Sequence, residues 1–479
     1  MDPIALIFAS IALVIFLLLV PFSYSILGLW LSEIGLWFAW IPFGMIIYAT
    51  ISLINLKINF EEATNFSLFL VSIIFNLVSF VRSITPFFKI QSTNKMLSMS
   101  MKKSLGNDYL HYIKSANCVD FISCVNFKML YYFTGIRRRI LNQRVRTIRN
   151  LIYDIVDGKE LKLNVHFPRK QGVYPVVLFI HGGGWIIGSK DHLAHERTCK
   201  LLANFGYTVF NINYRLISLD YIFTKKNDFK KSPQLGNILS DILTALDFVR
   251  TNASDYNGNA NDLFLFGRSA GAHLALLTSF LANEKKKISG VVAFYPVTDF
   301  TEFYKFFKQE HKMKLSLVNN VFGEGKEYQQ IYELFSPISY INEENSDDIP
   351  PVFLATGDKD KLVSPKQSIE LYNKLQEQNI PSVLLELPWA NHAFDLVLNG
   401  PGGQLVFKYL TQFLAWILAK KTMDKIEFSA KEQGLEQIIS KEKISRIYEL
   451  AKEEHNMHTI KANTVNFEPK YSETKITET

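Results

Sequence analysis

The stretch Phe264-Leu-Phe-Gly-Arg-Ser-Ala-Gly-Ala-His-Leu274 constrains the fold of this chain more than any other. An apolar run ends at Gly267, Ser269 stands between two glycines, and a helix-forming run begins at Ala270. A strand that turns this sharply into a helix leaves the serine on a strained, exposed bend, and Gly267 and Gly271 remove side chains that would collide there. The Ala270 N–H lies at the start of the helix, where a developing anion is stabilised. By itself G-x-S-x-G describes no more than a turn of small residues. Its meaning depends on what the neighbouring strand ends deliver.

Those strand ends are legible. Residues 151–156 and 161–167 are strand-like and joined through Asp157-Gly158, a hairpin signal. The run PVVLFI at 175–180 suits a strand buried on both faces and ends in His181-Gly-Gly-Gly-Trp185. Glycines after a central strand let backbone N–H groups approach a ligand closely, as acyl transfer requires. His181 reads as a support of that loop, with Gly182 and Trp185, rather than as a base. Helical patterns at 198–205 and 238–250 alternate with strands at 208–213, 263–266, 289–294, 352–356 and 382–387. The alternation predicts an α/β protein with a mostly parallel, doubly wound sheet and chemistry at the carboxyl ends of its strands.

Two of those ends carry the remaining groups. After 352–356 comes Gly357-Asp-Lys-Asp360, and after 382–387 comes Asn391-His-Ala-Phe-Asp395. A serine hydroxyl needs a histidine to take its proton, and the histidine needs a carboxylate to hold its tautomer. The order nucleophile, acid, histidine assigns these roles to Ser269, Asp360 and His392, with Asp358 as the competing acid.

The amino-terminal region has a different character. Three apolar runs, 4–22, 26–53 and 66–81, follow one another, with Glu33 inside the second. Runs of this length predict two or three transmembrane helices within residues 1–85, and Glu33 is expected to find a structural or functional partner. Arg82, Lys89, Lys95, Lys102 and Lys103 follow the third run before any acid. The positive-inside rule then places the bulk of the chain in the cytoplasm, as part of a multi-pass integral membrane protein. Only Cys118, Cys124 and Cys199 are present, which fits a reducing compartment.

Residues 86–149 read as a basic, amphipathic helical linker or cap, and 150–420 as the catalytic domain. Two aromatic insertions, 217–235 and 300–334, are candidates for an apolar lid over the site. The tail, 421–479, reads as charged, partly helical and largely disordered. Repeats, a metal-ligand cluster and a phosphate loop are absent from the pattern. The i, i+3 pair His192 and His195, near Cys199, reads as a helix surface rather than a zinc site.

Four motifs, HGGGW at 181–185, GRSAGAH at 267–273, GDKD at 357–360 and NHAF at 391–394, resemble those of the α/β-hydrolase superfamily. Within it they look most like the hormone-sensitive-lipase-like serine esterases with an HGGG loop. The resemblance covers about 150–420 and implies an α/β-hydrolase fold. It also implies Ser269 as nucleophile, Asp360 as acid, His392 as base, and the N–H groups of Gly183, Gly184 and Ala270 as oxyanion hole. The run WIIGSK at 185–190, with SAGAH and the apolar amino terminus, looks most like isoprenylcysteine methylesterase-like proteins. Plant members of that group more often read GGAW in place of HGGGW, and SAGAH also occurs in kynurenine-formamidase-like hydrolases. Arg268 stands where many hormone-sensitive-lipase relatives carry an acid. The implied reaction is hydrolysis of apolar or lipid-like carboxylic esters at a membrane, with no cofactor and no nucleic-acid partner. An amide-cleaving formamidase and a catalytically silent scaffold of the same fold are the alternatives.

Overall fold

The computed structural model describes residues 33, 43–47, 50–51, 63–115, 143–217, 233–282, 288–310 and 329–432. Its centre is an eight-stranded sheet: β1 (Val145–Val156), β2 (Lys159–Pro168), β3 (Tyr174–Ile180), β4 (Thr208–Ile212), β5 (Gly258–Arg268), β6 (Gly290–Phe294), β7 (Val352–Gly357) and β8 (Ser382–Leu387). The strand order is β1-β2-β4-β3-β5-β6-β7-β8. The hairpin β1–β2 and its junction with β4 are antiparallel, and every other pairing is parallel. Asp157, at the tip of the hairpin, takes a left-handed φ of 51° beside Gly158 at 73°, as a tight two-residue turn requires. After β3 the chain steps to one side, to β4, and then crosses to the other, to β5. The crevice at this reversal, at the carboxyl ends of β3 and β5, is where an open α/β sheet binds ligands.

The helices are α1 (Ala63–Leu105), α2 (Tyr109–Ser115), α3 (Leu193–Asn204), α4 (Pro233–Asn252), α5 (Ala270–Ala282), α6 (Phe300–Glu310), α7 (Gln329–Leu334), α8 (Pro365–Glu377) and α9 (Pro401–Glu432). They cover both faces of the sheet. Val176, Leu178 and Ile180 of β3 pack with Ile242 of α4, Leu276 of α5 and Leu371 of α8 on one face. Val177 and Phe179 pack with Cys199 of α3, Met101 of α1 and Leu410 of α9 on the other. Alternate residues of one strand thus serve two cores, which is why the strand is a continuous apolar run.

Several sequence expectations meet the structure differently. Arg146 and Arg149 lie on β1 rather than on a helix, and Arg149 pairs with Glu196 of α3 at 2.7 Å. His195 is buried, not on a helix surface, and its ring stacks 6.0 Å from His181. No group of three metal-ligating side chains occurs among the described residues. Residues 421–432 of the expected tail continue α9, and Lys421 is held 2.8 Å from Asp262, while 433–479 lie outside the described residues.

The long α1 is two helices in physical character. Its second half buries Leu97, Met101 and Leu105 against the sheet layer, and Ser100 Oγ donates to the Leu384 carbonyl of β8 at 2.7 Å. Its first half is inside out. Leu70, Val71, Ile74, Leu77, Val78 and Val81 are exposed, whereas Ser72, Asn76 and Ser79 are buried. Among the described residues, one helix, Leu70–Leu105, is long and apolar enough to cross a membrane. The runs at 4–22 and 26–53 fall largely outside the described residues, and multi-pass insertion has no support in the described residues beyond this helix.

Glu33 has the structural partner expected of it. Its carboxylate is buried and accepts hydrogen bonds from the Trp389 indole N–H at 3.1 Å and from the Gly402 N–H at 2.8 Å. Gly402 lies in the first turn of α9, so the carboxylate meets unpaired N–H groups and the positive end of the helix. Replacing Glu33 by Ala leaves two buried donors without acceptors and is expected to cost about 1–3 kcal/mol. Guanidinium unfolding of the detergent-solubilised chain measures this, and Glu33→Gln, which keeps an acceptor, is expected to lose less.

Candidate active site

The bend after β5 has the geometry its sequence demands. Ser269 has φ of 52°, a left-handed value that a non-glycine residue adopts only under constraint. The constraint is visible: the Ser269 N–H donates to the Phe294 carbonyl at 2.9 Å and its own carbonyl accepts from His273 N–H at 3.0 Å. Gly271 permits the bend to approach β3. A Cβ there would run into the backbone carbonyls of Ile180 and His181. The helix α5 therefore begins directly behind the glycine loop, with Gly182 against Ser269 Cβ.

Three side chains from three strand ends meet at this bend. His392 Nε2 lies 3.0 Å from Ser269 Oγ, and His392 Nδ1 lies 2.6 Å from Asp360 Oδ2. The other oxygen, Asp360 Oδ1, accepts from the Leu362 and Val363 N–H groups, both at 2.9 Å. Asp360 and His392 are buried, Ser269 is half-buried, and Asp358 stands at the surface. A carboxylate fixed by two backbone donors and turned to Nδ1 selects the imidazole tautomer whose Nε2 lone pair faces the serine hydroxyl.

The glycine loop lies at the same point. Gly183 and Gly184 have φ of 133° and 60°, and Trp185 follows at 62°. At Gly183 a side chain would also strike the Ile187 carbonyl, because the loop closes on itself through Ile186 and Ile187 N–H bonds to the Gly183 carbonyl. His181 props the loop. Its ring stacks on Tyr214 at 4.3 Å, its Nδ1 bonds the Gly182 carbonyl at 2.9 Å, and its own carbonyl accepts from Tyr214 OH at 2.8 Å. Burial pushes its imidazole down to about 4, only partly offset by the Gly182 bond, so it is neutral at ordinary pH. Trp185 is anchored through its indole N–H to His273 Nδ1 at 3.2 Å, while His273 Nε2 bonds the Phe335 carbonyl at 2.7 Å. One neutral tautomer satisfies both bonds.

The aromatic insertion of residues 300–334 contributes packing here. Phe300 lies 5.5 Å from Trp185 and 5.0 Å from His273, with Phe303 and Phe307 buried behind it. Residues 218–232 of the other insertion and 311–328 of this one are outside the described residues.

A cluster that sequence reading missed lies directly behind the bend. Arg268 is buried and forms an ion pair with Asp395, whose Oδ2 accepts from Arg268 Nε at 2.6 Å. Asp395 Oδ1 accepts from Tyr295 OH at 2.5 Å, and the Tyr295 ring lies 4.5 Å from that of His392. Arg268 also donates to Thr198 Oγ1 of α3 at 2.7 Å and lies over the Phe179 ring at 5.3 Å. The available signal was the pairing rule itself: an arginine at the buried end of a central strand needs a carboxylate, and Asp395 stands three residues after His392.

The strand order, the strained serine bend and the glycine loop are those of an α/β-hydrolase fold, and the contacts among Ser269, His392 and Asp360 place a candidate serine, imidazole and carboxylate at its strand ends. The comparisons agree. The BD-FAE family model matches residues 163–375. The probable carboxylic ester hydrolase LipM of Mycobacterium tuberculosis is 29% identical over 261 residues, 52% of this chain and 56% of that protein. The versiconal hemiacetal acetate esterase of Dothistroma septosporum is 26% identical over 286 residues, covering 55% and 80%. The probable isoprenylcysteine alpha-carbonyl methylesterase ICMEL1 of Oryza sativa subsp. japonica is 23% identical over 309 residues, covering 62% and 67%. The match spans little more than half the length of the first two curated relatives, 56% of each.

Two outcomes follow from the buried ion pair and the buried imidazoles of this domain. Arg268→Met leaves the Asp395 carboxylate buried and unpaired, and is expected to lower unfolding free energy by about 3–5 kcal/mol. The double variant Arg268→Met/Asp395→Leu is expected to recover part of that loss in urea titrations. The second outcome concerns pH. Burial holds His166 near 3 and His181 and His273 near 4, against 6.5 for a free imidazole. Between those values the unfolded chain binds protons that the folded chain does not, so stability is complete above about 6.5 and falls as pH drops toward 4. A denaturation midpoint that declines steadily from pH 7 to pH 4 is the expected reading.

Proposed function

We propose that this chain is a membrane-anchored serine hydrolase that cleaves carboxylic esters, with a preference for apolar or lipid-like ones. The observation that carries the reading is the pair of contacts Ser269 Oγ–His392 Nε2 at 3.0 Å and His392 Nδ1–Asp360 Oδ2 at 2.6 Å. In the reaction, His392 Nε2 takes the hydroxyl proton as Ser269 Oγ bonds to the ester carbonyl carbon. The N–H groups of Gly183, Gly184 and Ala270 receive the oxygen that becomes negative. The carbon–oxygen bond to the alcohol then breaks, His392 gives that alcohol its proton, and an acyl-serine remains. Water, deprotonated by His392, attacks the acyl carbon, and the proton returns to Ser269 as the acid leaves. Asp360 holds the imidazole throughout and stabilises it while charged.

The inside-out first half of α1 supports anchoring. A helix that buries Ser72, Asn76 and Ser79 and exposes six aliphatic side chains has the polarity of a helix in lipid, where small and polar residues face neighbouring helices. Phe43 lies 5.6 Å from Phe80 on such a neighbour. Anchoring raises the local concentration of esters that partition into the bilayer, and the basic residues after the helix support a cytoplasmic catalytic domain.

The test is turnover of p-nitrophenyl esters from acetate to palmitate by the detergent-solubilised chain. Ser269→Ala is expected to lose activity on the order of 10⁶-fold. Asp360→Asn is expected to lose about 10⁴-fold through the wrong tautomer, while Asp358→Asn stays close to wild type. Full activity in Ser269→Ala removes the serine from the reaction, and equal losses at Asp358 and Asp360 remove the assignment of the acid.

A further inference from the structure

We infer that the mouth of the Ser269 site faces the bilayer that α1 crosses, so that amphiphilic esters enter it from the lipid surface while their apolar tails remain in the membrane. The inference rests on the membrane reading above and adds to it the direction in which the site opens.

The first observation is the path of α1 along the catalytic domain. Its second half runs antiparallel to β8: Ser100 bonds the Leu384 carbonyl, in mid-strand, and the Lys89 charge, nearer the start of the helix, acts on Asp358, just past the carboxyl end of β7. Partial burial raises the Asp358 carboxyl, and the charges of Lys359 and Lys89 pull it the other way. Farther along, Leu105 and Tyr109 descend beside α9, with Tyr109 OH donating to Gln412 at 3.1 Å. The helix α9 itself starts at the active-site end, beside Trp389 and Glu33. It reaches the opposite end where Lys421 meets Asp262 and Ser289, close to the starts of the parallel run of β5 and of β6. The amino-terminal half of α1 therefore leaves the domain at the end of the sheet that carries Ser269, Asp360 and His392.

The second observation is independent of α1. Glu33, inside the second apolar run, is buried against Trp389 and Gly402. Trp389 lies three residues before His392. Two separate parts of the amino-terminal region thus meet the domain at its active-site end.

Distances agree with delivery from lipid. The exposed aliphatic stripe ends at Val81, eight residues before Lys89, a rise of about 12 Å along the helix at 1.5 Å per residue. An alkyl or prenyl ester spans such a gap without leaving the bilayer. Arg82 and Lys89 occupy that interval in the sequence, where basic residues meet anionic head groups. Were the site at the other end of the strands, the substrate would first have to cross the whole depth of the domain through water.

The experiment uses the full chain in phosphatidylcholine vesicles containing a lipid with a nitroxide on its head group. Cys118 and Cys124 are replaced by Ser, the buried Cys199 is kept, and a fluorophore is placed by Leu193→Cys or Glu377→Cys. Leu193, exposed, starts α3 at the active-site end; Glu377, also exposed, ends α8 at the opposite end. Loss of fluorescence at 193 and none at 377 is the expected result. Loss at 377 alone, or equal loss at both, overturns the inference. Wild-type chain that an alkaline carbonate wash strips from the vesicles overturns the membrane reading instead, so the two failures are distinguishable. Turnover of p-nitrophenyl acetate shows that each labelled chain is folded, and the exposed pair Leu334→Cys, next to Phe335 at the active-site end, and Ser254→Cys, before β5 at the opposite end, repeats the comparison if either of the first pair is inert.

Discussion

A guanidinium buried directly behind a strained serine is the interaction on which the rest of the site depends. Arg268 sits in the sheet layer over Phe179, where an unpaired charge would be prohibitively expensive, so a carboxylate must reach it. Asp395 does so only because the segment after β8 folds back over the strand ends, and the same fold carries His392 to Ser269. Tyr295, at the end of β6 with φ of 42°, completes the set by bonding Asp395 and lying against the His392 ring. One charge-pairing requirement thereby couples β5, β6, α3 and the segment after β8. Ser269 and His392 are thus held from behind by the Arg268, Asp395 and Tyr295 side chains.

The front of the site is set by backbone rather than by charge. The carbonyls of Ile180 and His181 pass so close to Gly271 that no side chain fits between them, which brings the glycine loop over the start of α5. That approach lies where the chain reverses direction across the sheet, between β3 and β5. The HGGGW loop and the Ser269 bend meet there, at the place where an open α/β sheet binds ligands. His181, Tyr214, Trp185 and His273 hold this arrangement through stacking and neutral hydrogen bonds, consistent with imidazoles that burial keeps uncharged.

The helix α1 and Glu33 are joined to this domain by buried contacts. The helix α1 passes without interruption from an inside-out segment to a segment that shares a core with β8 and α9. Glu33 adds a second attachment, at the start of α9. Its buried carboxylate closes a helix terminus that otherwise ends in unpaired donors, so Glu33 is part of how the start of α9 is finished.

Much of this was legible in order along the chain. The strands 175–180, 263–266, 352–356 and 382–387, the bend at Ser269, the HGGGW loop and the loops holding Asp360 and His392 all follow from period-two or continuous apolar patterning and from glycine placement, which are local properties. What stayed hidden depends on contacts between distant residues. Sequence favoured Asp360 with Asp358 as its competitor, and the path of the turn after β7 brings Asp360 to His392. It marked Arg268 as unusual without naming Asp395, 127 residues away, as its partner. It read His195 as surface because helical periodicity cannot reveal a ring stacked from another loop. Residue type and near neighbours were enough for the sheet, the bend and the candidate serine, histidine and carboxylate. What neutralises the buried arginine and which end of the domain meets α1 came from the folded chain, because each is a question of where separated segments come to lie.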